Sequence, residues 1–239
     1  MTVFFPAYNE EENVQFMIES AKGVLERLCE RWEIILVDDG STDKTADIAE
    51  NISLEDSRIR VVRHGCNLGF GSAIRTGINH SRMPWIFYTD CDGQFDLNEL
   101  DKVLELKDRA DIVSAYRHRR KDPWMRLLYS LSYAAVTSVL FGVGFKDTDA
   151  SFKLFRKSIF AVIKPESTSG VVDFEILLLA EKKGFSVVQI PVSHYPRRAG
   201  QVSFETVRNG LFTWVKVSAI TEMFAQLLKL RMRIWRGDV

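Results

Sequence analysis

Trp85-Ile86-Phe87-Tyr88-Thr89-Asp90-Cys91-Asp92-Gly93-Gln94 reads as a buried strand that ends in two carboxylates. Its unbroken aromatic and β-branched run fits a strand covered on both faces. Asp90 and Asp92 then leave the sheet together, into a bend that Gly93 permits. Hard oxygen ligands of this kind suit Mg²⁺ or Mn²⁺, and such an ion clamps a diphosphate. Gln94 adds a neutral oxygen within reach of the same ion. Alone, the pattern is also that of a solvated acidic turn, so the rest of the chain has to decide.

On both sides of this stretch, short apolar runs alternate with segments of helical period. Thr2–Phe5, Glu33–Val37, Ile59–Val62, Ile112–Ala115 and Ser186–Val192 read as further strands. Glu11–Glu30 places Val14, Met17, Ile18, Ala21, Leu25 and Leu28 on one helical face. Ser41 to Asp43 supply capping groups for a helix through Ala49, and further helices are predicted near Gly71–Asn79, Leu97–Leu106 and Asp173–Lys183. This alternation implies an α/β fold, a mainly parallel sheet flanked by helices, with ligands at the carboxyl ends of its strands. Pro6-Ala7-Tyr8, Asp38-Asp39-Gly40-Ser41 and Asp90-Cys91-Asp92 all fall at that edge. With no linker, repeat or low-complexity tract, residues 1–205 read as one domain and 206–239 as a helical extension.

The bulk composition excludes several classes. At 239 residues, 46% hydrophobic and 27% charged, the chain can build a substantial core and carries no disorder signature. Its 32 basic and 32 acidic residues cancel, so no net field favours nucleic acid. Cys29, Cys66 and Cys91 form no C-x-x-C pair and no even framework, which suits a reducing cytoplasm. No cleavable signal pattern precedes the first strand. Leu127 to Phe145 is uncharged, but its serines, threonine and glycines make it a buried or interfacial helix rather than a membrane span.

Pro6-Ala7-Tyr8-Asn9-Glu10-Glu11, Val37-Asp38-Asp39-Gly40-Ser41-Thr42-Asp43 and Asp90-x-Asp92-x-Gln94, in that order, resemble the family 2 glycosyltransferases. Within them the chain is most similar to the dolichol-phosphate mannose synthase and polyprenyl-phosphate glycosyltransferase branch. Asn67-Leu68-Gly69-Phe70-Gly71-Ser72-Ala73, Asp147-Thr148-Asp149 with Phe152-Lys153-Leu154-Phe155-Arg156, and Arg197-Arg198-Ala199-Gly200 extend the likeness over positions 2 to 205. The resemblance implies a GT-A fold that binds a nucleotide diphosphate sugar. On it, Pro6, Ala7, Tyr8 and Glu10 line the base and ribose pocket, and Val37 and Asp39 close it. Asp90 lies by the ribose and the metal, while Asp92 and Gln94 hold Mg²⁺ or Mn²⁺ against the diphosphate. Arg117, Arg126 and Arg197 correspond to basic groups around the phosphates, and Ser203 belongs to the acceptor loops. Two departures fall on those loops: Ser151 stands where the family often has glycine, and Ser203 comes one residue later than in the commonest pattern.

The chemistry follows from charge. A departing diphosphate needs an electrophilic clamp, so Asp92, through its ion, and Arg117 are the expected catalytic residues. Arg117 opens the run Arg117-His118-Arg119-Arg120-Lys121, which reads as a phosphate-gathering loop or as a solvated one. A lipid monophosphate, with a second pKa of about 6, is largely ionised at neutral pH and needs no base to attack with inversion. A sugar or protein hydroxyl needs a carboxylate beside it. Asp147, Asp149, Asp173 and Glu175 are the spare carboxylates, and structural roles explain them equally well. Asn67–Gly71 fails as a dinucleotide fingerprint and reads instead as a closely packed turn. His64 and His194 read as structural. Near the C-terminus Lys229, Arg231, Arg233 and Arg236 interleave with Leu230, Met232, Ile234 and Trp235. That pattern suits the cytoplasmic face of a membrane, where a polyprenyl phosphate is collected, or a helix packed on the domain or on a second subunit of a homodimer. Rival readings are a hydroxyl acceptor, a non-catalytic nucleotide-sugar-binding subunit, and a nucleotidyltransferase.

Overall fold

A computed structural model describes residues 1–118, 124–200, 205–208, 212–215 and 217–238, with side chains for 1–118, 130–200, 218 and 220–238. Its strands are β1 (Thr2–Ala7), β2 (Glu33–Asp38), β3 (Ile59–Arg63), β4 (Trp85–Thr89), β5 (Ile112–His118), β6 (Phe152–Arg156), β7 (Val187–Ser193), β8 (Glu205–Arg208) and β9 (Phe212–Val215). Its helices are α1 (Val14–Leu28), α2 (Thr45–Glu55), α3 (Phe70–His80), α4 (Leu100–Leu104), α5 (Trp124–Phe141), α6 (Val171–Lys182) and α7 (Val217–Arg236). The main sheet has seven strands in the order β3-β2-β1-β4-β6-β5-β7.

β1 is an interior strand, and its residues are all buried, as a parallel strand between crossovers requires. It pairs in parallel with β2, Ala7 opposite Asp38, and with β4, Phe4 opposite Tyr88. The carboxyl ends of three strands therefore open on one edge, and their three acidic loops become neighbours. β6 breaks the parallel pattern, running antiparallel to both β4 and β5. It is absent from the sequence reading because Lys153 in its middle suggests a solvated loop, whereas Lys153 is fully buried.

Helices cover both faces. Val3, Phe5 and Ala7 meet Val14, Met17, Ile18 and Leu25 of α1 on one side. On the other, Phe4, Tyr88 and Phe155 stack in a row with centroids 5.4 and 5.8 Å apart, among side chains of α3 and α6. Full burial of a side chain such as Phe4 contributes about 1.5–3 kcal/mol. α6 is buried along nearly its whole length, so its Asp173 and Glu175 are inside the protein.

The C-terminal stretch, read from sequence as a helical extension, contains two strands as well as a helix. β8 and β9 pair antiparallel before α7 begins, in keeping with the β-branched and aromatic residues Thr206, Val207, Phe212, Thr213, Trp214 and Val215. α7 then docks by Leu227 and Leu230 into a cluster with Tyr133, Phe141 and Phe174. That contact places α7 beside α5, which occupies most of the uncharged Leu127–Phe145 stretch. Among the described residues, no helix is long and apolar enough to cross a membrane.

The close-packed turn predicted at Asn67–Gly71 is where α3 meets the loop before α6. Gly71 N donates to Thr168 O at 2.8 Å, and a Cβ on Gly71 would lie 2.1 Å from Ser167 O. Gly71→Ala is therefore expected to destabilise the protein by about 1–3 kcal/mol through overpacking. Gly23, in α1 with nothing within 4 Å of its virtual Cβ, is the control. Gly23→Ala is expected to stabilise by about 0.5–1 kcal/mol from helix propensity. Urea denaturation of both variants measures the contrast, and a destabilisation of Gly23→Ala as large as that of Gly71→Ala would refute it.

Candidate active site

Three loops at the carboxyl edge are stitched together by short polar side chains. After β1, Asn9 N donates to Ser41 Oγ (2.9 Å) and Asn9 Oδ1 accepts from Thr42 N (2.9 Å). Glu10 N donates to Thr45 Oγ1 at 2.7 Å, and Glu11 N to Asp43 Oδ2 at 3.1 Å. Asp43 also accepts from Thr45 N (3.0 Å) at the start of α2, the local role its capping chemistry suggests. These bonds satisfy loop amides that would otherwise be unpaired beside the site.

Asp39 works on the third loop. Its carboxylate accepts from Leu68 N (2.9 Å), Gly69 N (3.0 Å) and His64 Nδ1 (2.7 Å), while His64 Nε2 contacts Thr76 Oγ1 at 2.9 Å. His64 is thus structural, as read from sequence, and Asp39 organises the loop before α3. Pro6, Ala7 and Val37 are buried at the same edge and Tyr8 is half-buried.

The acidic centre lies at the end of β4. Gly93 has φ +74°, so the bend uses the left-handed conformation that glycine adopts freely. Asp92 is buried, and its Oδ1 accepts from Gln94 N at 3.0 Å. Arg197, arriving after β7, lies between two carboxylates: Nη1 is 3.4 Å from Asp92 Oδ2, and Nη2 contacts Glu10 Oε1. Its Nε donates to Ala199 O at 2.7 Å, which fixes the fork. Glu10 also accepts from Asn13 Nδ2 (2.7 Å), and burial pushes its carboxyl up against these favourable bonds. Burial and the Asp92 carboxylate push Asp90 up to about 7, opposed by a hydrogen bond from Ser151 and by the nearby Lys153 ammonium.

A divalent cation fits this donor set. Mg²⁺ and Mn²⁺ are commonly held by one or two protein carboxylates, with phosphate oxygens and water completing the shell. Among the described residues no group of three or more His, Cys, Asp or Glu is arranged to hold a metal ion by itself. Burial first, and repulsion from the Asp92 carboxylate second to it, raise both Asp90 and Glu10, while Arg197 contacts Glu10 and Asp92. Gln94 turns its amide nitrogen to Tyr195 O at 3.1 Å.

Arg117 lies on the neighbouring part of the edge. Its backbone N and its Nε donate to Asp147 Oδ2 at 2.8 Å, and its Nη2 to Asp147 Oδ1 at 2.5 Å. Asp147 adopts φ +43°, uncommon for a residue with a side chain. Arg117 and His118 end β5, while residues 119–121 of the basic run lie outside the described residues, as does Ser203. Arg126 is in α5, and its side chain is outside the described set.

Four functional features are missing from the sequence reading. Asn13 is wholly buried, donates to Glu10 and to Ala199 O (3.1 Å), and has no partner for its Oδ1. Ser151 lies beside Asp90, next to the Thr89–Phe152 pair of the antiparallel register, and favours its ionised form. Lys153 Nζ lies 2.9 Å from Asp173, and Tyr88 Oη donates to the same carboxylate. Burial pushes Lys153 down to about 7, opposed by the Asp149, Asp147 and Asp90 carboxylates, and burial pushes Asp173 up. Glu175 accepts from Glu166 N, Ser167 N and Arg233 Nη1, at 3.0, 2.7 and 2.6 Å. Asn13 and Glu10 are three residues apart, but the other pairings join different elements of the fold and are not visible as spacing.

Comparison with known proteins agrees with this architecture. The chain is 29% identical over 223 residues to dolichyl-phosphate beta-glucosyltransferase of Saccharomyces cerevisiae, covering 81% of this chain and 66% of that protein. It thus spans just under two thirds of that relative's length. It is 28% identical over 225 residues to polyprenol monophosphomannose synthase of Mycolicibacterium smegmatis, covering 88% of this chain and 83% of that protein. In fold it is similar to glucosyl-3-phosphoglycerate synthase of Mycobacterium tuberculosis in complex with Mn²⁺, uridine diphosphate and phosphoglyceric acid. The TM-score is 0.65 at 17% identity, covering 96% of this chain and 76% of that one. Residues 2–164 match the family model described as glycosyl transferase family 2, and with strand edge, acidic centre and fold in agreement, the chain belongs to that family.

Proposed function

We propose that this protein is an inverting glycosyltransferase that moves a hexose from a nucleotide diphosphate donor, GDP-mannose or a UDP-hexose, to a polyprenyl or dolichyl phosphate. One observation carries the choice of acceptor. Three of the four carboxylates available as a general base are committed elsewhere: Asp147 to the Arg117 fork, Asp173 to Lys153 and Tyr88, and Glu175 to two backbone amides and Arg233. An ionised lipid phosphate needs no base, whereas a hydroxyl does. The names of the polyprenyl- and dolichyl-phosphate relatives support the same acceptor.

In this reading Pro6, Ala7, Tyr8, Glu10, Val37 and Asp39 frame the base and ribose, with Asp39 acting through the loop it holds. Asp90, Asp92 and Gln94 hold Mg²⁺ or Mn²⁺, which supplies electrophilic stabilisation of the departing diphosphate. Arg197 balances Glu10 and Asp92 until donor and ion arrive, then faces the diphosphate. Arg117, held by Asp147, presents positive charge to the incoming phosphate, and the family resemblance assigns Arg126 to the phosphates and Ser203 to the acceptor loops. The acceptor oxygen attacks the anomeric carbon from the face opposite the leaving group. The manganese and uridine diphosphate bound to the similarly folded synthase support the choice of ion and donor class.

Place follows from α7. Leu230, Arg233 and Ile234 turn inward, a correction to the picture of one basic and aromatic face. The outward stripe is Phe224, Leu228, Met232 and Trp235, spaced at helical intervals, with Trp235 84% exposed. Exposed Lys229, Arg231 and Arg236 lie beside it. Apolar anchors with basic neighbours complement an anionic lipid surface, and we place the protein at the cytoplasmic membrane face.

Incubating the protein with polyprenyl phosphate, Mg²⁺ or Mn²⁺ and a panel of GDP- and UDP-sugars is expected to give glycosylated lipid phosphate, detected by mass spectrometry of the organic phase. Nucleoside diphosphate released in water with no lipid product would defeat the lipid acceptor and favour a hydroxyl.

Asp92→Asn is expected to lower transfer by at least about a hundredfold yet stay within about 1 kcal/mol of native stability, because it relieves repulsion among carboxylates. Asp39→Ala orphans two amides and a histidine and is expected to cost about 2–3 kcal/mol. Equal destabilisation of the two variants would contradict this division.

Leu228→Ser with Trp235→Ser is expected to reduce flotation with anionic vesicles about tenfold. Native protein that floats equally with neutral vesicles would contradict the charge argument. A dimer lost in the variant would assign the stripe to a second copy.

A further inference from the structure

Lys153 is fully buried at the centre of β6, directly opposite Tyr88 in the register with β4. Its ammonium has four oxygen partners drawn from three parts of the fold. Nζ is 2.9 Å from Asp173 on α6 and donates to Tyr88 Oη at 3.3 Å. It also donates to two backbone carbonyls, Ala150 O at 2.6 Å and Thr148 O at 2.9 Å. A buried ammonium is unfavourable unless every proton is used, and an apolar side chain of similar volume could fill the space. What the ammonium adds is its hold on the backbone at 148 and 150.

That short segment joins the two halves of the site. Asp147, at one end, grips the Arg117 guanidinium. Ser151, at the other, immediately precedes Phe152, which pairs antiparallel with Thr89, so it lies beside Asp90 and favours its ionised form. The segment is otherwise weakly supported locally: Asp147 is in the left-handed region, and the only backbone bonds within it are Ala150 N to Asp147 O at 3.2 Å and Phe152 N to Ala150 O at 2.9 Å.

We propose that Lys153 is a positioning residue, which with Asp173 and Tyr88 as its anchor holds the 147–151 loop so that Arg117 and Asp90 keep a fixed separation. Resting on the function proposed above, this makes the buried lysine a determinant of how acceptor phosphate and donor sugar are aligned. Small misplacements of reacting groups are heavily penalised in rate, whereas binding of one substrate alone is much less sensitive to them.

The test uses the full chain with Lys153→Met, which keeps length and apolar volume, and Tyr88→Phe, which removes only a hydroxyl. Hydrogen exchange is expected to accelerate at the amides of 148–151 in Lys153→Met by at least about tenfold, with β6 and α6 unchanged. Binding of nucleoside diphosphate with Mn²⁺ is expected to stay within about twofold, while kcat for transfer to polyprenyl phosphate falls about ten- to hundredfold. Tyr88→Phe, the milder change, is expected to move in the same direction by about threefold, which keeps the test open if Lys153→Met does not fold. Unchanged loop exchange would overturn the proposal whatever the acceptor proves to be. So would exchange raised throughout β6 and α6, since that is the mark of a merely structural lysine. Native protein that makes no lipid product defeats the proposed function alone, because the exchange comparison still decides the role of Lys153.

Discussion

Glu10, Asp90 and Asp92 are brought close together inside a protein, and the arrangement survives because Arg197 stands between two of them. Glu10 follows β1, Asp90 and Asp92 both follow β4, and the arginine comes from the segment after β7. Like charges at such separations repel strongly in a medium less polar than water, and burial adds a desolvation penalty. The raised carboxyls of Glu10 and Asp90 express both effects. Everything that assembles the edge of the sheet works against this repulsion: the parallel register of β1 with β2 and β4, the left-handed bend at Gly93, and the fork of Arg197 pinned on Ala199 O. In the proposed function, this group of carboxylates would receive a divalent cation together with the donor diphosphate.

Around that centre the acidic residues divide into two groups by partner. Asp39, Asp147 and Glu175 accept hydrogen bonds from backbone amides and thereby hold loops in place. Asp90 and Asp92 accept few such bonds, and their energetic balance is left to solvent, arginine and ligand. The division follows from hydrogen-bond supply: a carboxylate that has taken two or three amide donors has little capacity left for a metal or a proton. Lys153 belongs with the first group although it is a cation, because its protons are spent on carbonyls.

α7 shows how one helix can serve two surroundings. Its inward face carries Leu227, Leu230 and Arg233, the last reaching Glu175 within α6, and Gln226 accepts from Ser169 Oγ at 3.0 Å in the loop that packs on α3. Its outward face offers Phe224, Leu228, Met232 and Trp235. The basic residues are therefore not equivalent. Arg233 ties the helix to the domain, while Lys229, Arg231 and Arg236 remain on the surface, with Lys229 3.5 Å from Glu166.

The sequence by itself determined the alternating α/β architecture, the strand edge on which the acidic motifs meet, the D-x-D bend with its glycine, and the family. Those features are local: period, turn chemistry and motif order are written along the chain. Only the tertiary structure decided which charges act and which support. Lys153 in a short strand looks solvated until Asp173, more distant in the chain, is folded against it. Glu175 looks like a spare base until two amides and Arg233 close on it. Arg233 looks like part of a membrane face until helix phase turns it inward. In each case the role depends on a partner's distance and on exclusion of water, and both are properties of packing that no spacing in the sequence encodes.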